Sequence, residues 1–154
     1  MIFTKQISPL TSIYLNSAAK FLSSDKNKIV LPAHISRESK QHQFKISRFL
    51  LEKYAPIEIV LEKMKVDFYG KPFYEGNPFY FNISHCPSLV GVIISQTNPV
   101  ALDIESCERK IPLRMISRFL NTTEINLVQQ QYQEISNIET LLWCCKETIY
   151  KYYP

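Results

Sequence analysis

An α+β fold is what this sequence predicts, and three observations predict it. Apolar residues recur at helical spacing between positions 11 and 54, and again from Pro112 onward. Between those regions, from Ile57 to Glu105, the period drops to two. The middle is punctuated by Gly70-Lys71-Pro72, Glu75-Gly76-Asn77-Pro78 and Asn98-Pro99, residue clusters that make turns.

Taken in order, Thr11 to Leu22 reads as a helix with Ile13, Ala18, Phe21 and Leu22 on one side. His34 to Tyr54 is a longer helix whose apolar stripe is Phe44, Ile46, Phe49, Leu50 and Leu51. Its polar side carries Arg37, Lys40, Lys45, Arg48 and Lys53, usually a solvated face but one able to meet phosphates. After Pro56, Ile57, Ile59 and Leu61 alternate, then Met64, Val66 and Phe68, which predicts one or two strands. Phe79 to Ile83 and Leu89 to Ser95 are short strands, and Val100 to Glu105 is a third. Pro112 opens a helix through Leu113, Ile116, Phe119 and Leu120. Asn121 and Glu124 cap the next helix, which runs towards Tyr132. Ser136-Asn137-Ile138-Glu139 is a capping box for the last one.

The 154 residues suit one compact unit with a real core, and 45% hydrophobic content excludes a disordered chain. No apolar run is long enough to span a bilayer, and the N-terminus lacks a signal-peptide pattern. The four cysteines complete no CxxC spacing, and Cys144 and Cys145 point apart on a helix, so reduced cytoplasmic thiols are expected. A net charge of +4 suits an anionic partner. A nucleic-acid-binding module would rest on that charge and the aromatic count alone, without any sequence signature.

The chemistry lies in three stretches. Trp143, Glu147 and Lys151 fall at i, i+4 and i+8, putting an indole, a carboxylate and an ammonium on one helix face. Taken alone, that is a surface helix with a stabilising Glu-to-Lys pair. Asp103 and Glu105 stand two apart on a strand, so both acids point to one side, and a hard divalent cation such as Mg2+ is their natural neutraliser. A bare D-x-E is usually two exposed acids; Glu147, as a third carboxylate, strengthens the case. Lys71 and His85, each beside a turn, are placed to hold phosphate oxygens, although a lone histidine is more often structural.

Gly70-Lys71-Pro72, Phe81-Asn82-Ile83-Ser84-His85, Asp103-Ile104-Glu105 and Trp143-x-x-Lys146-Glu147-x-x-x-Lys151 occur in that order. The series resembles the 4′-phosphopantetheinyl transferases of the surfactin-synthetase-activating type, and the likeness runs from about Lys40 to Lys151. Gln43-Phe44-Lys45-Ile46-Ser47-Arg48 also looks like that family's helix. The resemblance implies two pseudo-twofold lobes of small antiparallel sheet plus helices, here 1–99 and 100–154, the second shortened because the chain stops at Pro154. It implies transfer of phosphopantetheine from coenzyme A to a serine of an acyl or peptidyl carrier protein. Asp103, Glu105 and Glu147 would hold Mg2+, and Lys71, Ser84 and His85 would contact phosphates, with Arg48 or Lys40 helping more loosely. Glu147 would take the serine proton, and Lys151 would steady the leaving 3′,5′-ADP. The family has a glycine where this chain has Ala101. The rival class is a non-catalytic relative that binds coenzyme A or a carrier protein without turnover. A shortened second lobe would leave apolar helix surface open, through which self-association is expected.

Overall fold

The chain enters on a hairpin. The computed structural model describes residues 2–18, 29, 31, 35–118, 120–131 and 137–153. Strands β1 (Ile2–Ser8) and β2 (Thr11–Ser17) pair antiparallel across a turn at Pro9 and Leu10. The helix expected from Thr11 is therefore a strand as far as Ser17, and its continuation over 19–22 lies outside the described residues. The physical reason is visible in what β2 touches. Tyr14 stacks on Tyr54 with ring centroids 4.0 Å apart, while Leu15 points to the opposite face, towards Gly91. Period two serves both faces, and sheet pairing overrides a weak helical spacing. β1 has no counterpart among the expected elements.

Helix α1 (Glu38–Tyr54) follows, starting four residues later than expected and ending where Ala55 turns extended before Pro56. Ile46, Leu50 and Leu51 from its stripe are fully buried. Residues 57–60 form no strand; Leu61–Lys63 is a single 3-10 turn leading into β3 (Met64–Val66). β3 pairs with β4 (Pro72–Tyr74) across a tight tip. There Asp67 Oδ1 accepts from the amides of Tyr69 (2.9 Å) and Lys71 (2.8 Å), and Gly70 supplies a φ of +84°. β5 (Tyr80–Cys86) and β6 (Leu89–Ser95) close the main sheet, whose order is β1-β2-β6-β5.

This mixed α+β sheet has two unlike faces, because alternate residues point opposite ways. Phe81, Val90, Val92 and Ile94 pack with Ile46, Leu50 and Leu51 of α1 to form the core. Asn82, Ser84 and Gly91 face the other way, towards residues 100–105. Those residues were expected as a third strand and are not one: they run extended across the face and add nothing to the edge. The Leu102 amide donates to Asn82 Oδ1 (3.0 Å) and the Ile104 amide to Ser84 Oγ (3.1 Å), so side chains replace a backbone ladder. Gly91 permits the approach. A Cβ there would stand 2.5 Å from Ile104 Cδ1 and 2.6 Å from Leu15 Cδ2.

The remaining elements are α2 (Leu113–Ile116), α3 (Thr122–Gln131) and α4 (Ile138–Tyr152). Pro112 accepts from the Met115 amide at the start of α2. The expected cap of α3 is present in both directions: the Glu124 amide donates to Asn121 Oδ1 (2.9 Å), and the Asn121 amide to Glu124 Oε2 (2.8 Å). α4 is capped by Asn137 in a left-handed conformation with no side-chain hydrogen bond; Ser136, like Phe119 and Tyr132, lies outside the described residues. Leu141, Ile149, Tyr150 and Tyr153 of this last helix and its end are exposed.

Gly91→Val will lower stability by about 1–3 kcal/mol, the usual cost of overpacking a filled contact. Urea unfolding measures it; an unchanged midpoint would mean that residues 102–104 stand off the sheet.

Candidate functional site

Ser84 begins the site. It leaves β5 on the face that carries residues 100–105, and all its hydrogen-bonding capacity is used there. Its hydroxyl donates to Asp103 Oδ1 (3.1 Å) and accepts from the Ile104 amide and from Lys151 Nζ (3.2 Å). Asp103 is thereby drawn under the sheet, its side chain only 7% exposed. Its second oxygen, Oδ2, is buried with no hydrogen-bond partner. The Cys144 thiol leans on this carboxylate too weakly to count as one. That thiol is pushed up to about 12 by burial first, then by its contact with Asp103 and the charges of Asp103 and Glu105.

Lys151 reaches in from the last turn of α4. Its ammonium lies 2.7 Å from Asp103 Oδ1, 3.1 Å from the Leu102 carbonyl and 3.2 Å from Ser84 Oγ. A lysine has three N–H groups, and here each has an acceptor. Lys71, at the tip of the β3–β4 hairpin, donates from Nζ to the Lys151 carbonyl (2.8 Å). It satisfies an orphan carbonyl at the C-terminal end of α4 and sets positive charge where the helix dipole favours it. Four residues named from sequence, Lys71, Ser84, Asp103 and Lys151, thus meet, although 80 residues separate the first from the last.

Glu147, one helical turn before Lys151, lines a cleft of about 260 Å3 with Lys71, Asn82, Tyr150 and Lys151. That is just under the roughly 300–1,000 Å3 of a pocket enclosing a whole drug-sized ligand, and suits part of a larger one. Glu105 turns to Arg109, with which it forms an ion pair. Arg109 also lies over the Trp143 ring, 5.6 Å from its centroid, and its carbonyl accepts from Thr140 Oγ1 (2.6 Å), so this loop is tied to α4. His85 points to the α1 side of β5, opposite to Ser84. Its edge reaches solvent, yet partial desolvation first, then the Lys151 ammonium and Lys40, hold it below the ordinary histidine value, against a backbone hydrogen bond and Asp103, which raise it. Lys40 and Lys151 thus both raise the positive potential felt at His85. Arg48 is not among them. Its guanidinium sits 4.6 Å over the Phe44 ring, burial lowers its pKa, and Nη1 has no hydrogen-bond partner.

Among the described residues, no three His, Cys, Asp or Glu side chains are grouped to hold a metal ion. Asp103 and Glu105 act on the same thiol, so they share a side, but each carries an internal cation, Lys151 and Arg109 respectively. The donor chemistry nonetheless fits a hard cation: carboxylate oxygens, one of them buried and unpaired. Sequence reading gave Asn82 no role and Cys144 only that of a reduced thiol. The signal for Asn82 was its two-residue offset from Ser84, which matches that of Leu102 from Ile104.

A sequence model of the 4′-phosphopantetheinyl transferase superfamily matches residues 99–154. The match takes in Asp103, Glu105, Glu147 and Lys151 but stops short of Lys71, Ser84 and His85. It supports phosphopantetheine transfer as the class of chemistry. No curated protein matches the chain.

A histidine whose folded pKa lies below its unfolded value of about 6.5 binds its proton more readily unfolded. Stability at His85 is therefore complete above that value and falls as pH drops below it. The urea midpoint of wild type will fall between pH 7.5 and 5.5 by more than that of His85→Gln. Parallel falls in the two proteins would show His85 to be freely solvated.

Proposed function

We propose that this chain transfers the 4′-phosphopantetheine group of coenzyme A to a serine of an acyl or peptidyl carrier protein, in the manner of the surfactin-synthetase-activating transferases. The observation that carries the reading is the meeting of Asp103, Ser84, Lys71 and Lys151 beside a cleft lined by Glu147. The division into lobes 1–99 and 100–154 goes with it, the first supplying Lys71, Ser84 and His85, the second the acids and Lys151.

In this reaction the carrier serine oxygen attacks the phosphorus bearing the pantetheine arm. The bond from that phosphorus to the bridging pyrophosphate oxygen breaks, and 3′,5′-ADP leaves. Glu147 takes the serine proton, directly or through water. Lys71, Lys151 and Lys40 supply the positive surroundings for the phosphates, and neutral His85 could add an N–H donor; phosphoryl transfer asks mainly for positioning and charge stabilisation of this kind. Asp103, Glu105 and Glu147 would hold Mg2+, which supplies neutralisation of the pyrophosphate when bound. A groove of about 450 Å3 beside Glu147, with Met115, Trp143 and Ile149 among its apolar lining and Arg118 and Lys146 as its cations, suits an acidic carrier surface. The exposed Leu141, which lies outside that groove, supports self-association as a further property of this helix.

One set of observations favours a second reading, binding without turnover. Ser84 and Lys151 have all their donors engaged within the protein, and Glu105 is paired with Arg109. Incubation with coenzyme A, Mg2+ and an apo carrier protein, followed by intact mass, separates the two. Transfer adds one phosphopantetheine to the carrier; coenzyme binding with an unmodified carrier selects the second reading.

Within the transfer reading, Glu147→Gln will lower kcat by roughly 10²–10⁴-fold, the range of a positioned base, while coenzyme affinity stays within a few-fold. Steady-state kinetics beside calorimetry measure both quantities. An equal loss in the two would reduce Glu147 to a ligand-holding residue.

A further inference from the structure

We infer that Lys151 is an internal counter-ion that occupies Asp103 in the free protein, so that a divalent cation binds there only by displacing it. The inference rests on the proposed reading of Asp103 as a cation ligand and concerns how that site is controlled before any substrate arrives.

Three observations lead to it. The Lys151 ammonium is enclosed by three oxygens, Asp103 Oδ1, the Leu102 carbonyl and Ser84 Oγ, at 2.7–3.2 Å. Carboxylate, carbonyl and hydroxyl oxygens are also the donors that a hard divalent ion accepts, so the enclosure is a cation site already filled. Next, the Asp103 side chain is 7% exposed, and an unpaired buried carboxylate is costly, so a free site without an internal cation would disfavour this arrangement. Finally, the Lys151 backbone is held in place from outside, its carbonyl accepting from Lys71 Nζ at 2.8 Å.

Two cations on one carboxylate repel strongly, whether the divalent ion takes Oδ1 or the unpartnered Oδ2 beside it, so ion and ammonium compete for Asp103. Lys151 has somewhere to go. Its side chain is 27% exposed, and it lines the cleft it shares with Lys71, Asn82, Glu147 and Tyr150. With the Lys71 contact holding the backbone, only the flexible stem swings, which releases three N–H groups towards that cleft. Cation binding and presentation of the ammonium to an anion then become one event, and the free protein keeps its leaving-group lysine silent. The apparent cation affinity is reduced by the fraction of molecules in which Lys151 has vacated Asp103.

The test is Mn2+ titration by electron paramagnetic resonance on the full chain without coenzyme, for wild type, Lys151→Met and Asp103→Asn. Lys151→Met will bind Mn2+ at least ~10-fold more tightly than wild type, since the competing ammonium is gone. Asp103→Asn will lose that ion. Equal or weaker binding by Lys151→Met overturns the inference, as does retention of the ion by Asp103→Asn or absence of Mn2+ binding in every variant. Should Lys151→Met fail to fold, wild type answers alone. Acetylation followed by peptide mass spectrometry will show Lys151 labelled several-fold faster with Mn2+ present, the exposed lysines unchanged; an unaltered or slower rate sinks the idea. The two readings fail separately. A protein that transfers phosphopantetheine with Mn2+ affinity indifferent to Lys151 refutes the displacement, whereas Mn2+ binding governed by Lys151 with no carrier modified refutes the transfer.

Discussion

The ion pair between Lys151 and Asp103 is the constraint from which the second half of the structure takes its position. One partner comes from the last turn of α4, the other from a stretch without regular structure; they stand 48 positions apart, with α2, α3 and the loop at Arg109 in between. Burial makes the pair demanding. Removing one partner of a buried pair costs about 3–5 kcal/mol, and the partial exposure of Lys151 places this one at the low end. Oxygens from Ser84 and Leu102 complete the ammonium's shell, so satisfying this one charge fixes β5, residues 102–104 and α4 relative to one another. Lys71 extends the arrangement to the β3–β4 hairpin through the Lys151 carbonyl.

That pair is possible because one sheet serves two environments. Towards α1 it presents Phe81, Val90, Val92 and Ile94, and the core they make is conventional. Towards residues 100–105 it presents Asn82 and Ser84, both buried, and Gly91 between the tips of Leu15 and Ile104. The Asn82 and Ser84 side chains accept backbone amides that would otherwise be buried without partners. The spacing of two between Asn82 and Ser84 is matched by the spacing of two between Leu102 and Ile104. Asp103, the residue between the latter, is thus aimed by its neighbours' backbone bonds. A site built on a strand in this way is held more tightly than one built on a free loop.

How much of this was legible in the sequence depended on whether the signal was local. α1, β5, β6 and the cap of α3 could be read because period, turn residues and reciprocal capping lie within a few positions. β2 was misread as helix because Ile13 and Ala18 fit one period while Tyr14 and Leu15 serve two faces that only the folded sheet supplies. Residues 100–105 alternate as a strand should, but their partners are side chains from a distant strand, which no local pattern reveals. At the site, Lys71, Ser84, Asp103 and Lys151 were named from motifs in sequence order, and they meet. Their partners were not named. Lys71 meets a helix carbonyl and Arg48 covers Phe44, internal contacts that no motif foretold.

The charges around the cleft give the last step. Each acid that faces Cys144 already has an internal cation, Asp103 with Lys151 and Glu105 with Arg109, so in the free protein these acids are close to neutralised. Lys71 and Lys40 lie nearby without a carboxylate partner among the contacts described, while partial desolvation and then Lys151 hold His85 below its ordinary value, so it adds no charge of its own. A polyanion arriving alone would meet this positive fringe but would find the acids beneath it closed. An isolated divalent ion would have to compete with two internal cations, the Lys151 ammonium at the buried Asp103 and the half-exposed Arg109 guanidinium at Glu105. A polyanion and a divalent ion arriving together face neither obstacle. On the proposed displacement, the ion would neutralise the acids, and the freed ammonium would gain a phosphate in exchange for a carboxylate. Under the proposed reading the electrostatics would favour a metal-bound polyphosphate over either component by itself, a stronger selection than net charge alone provides.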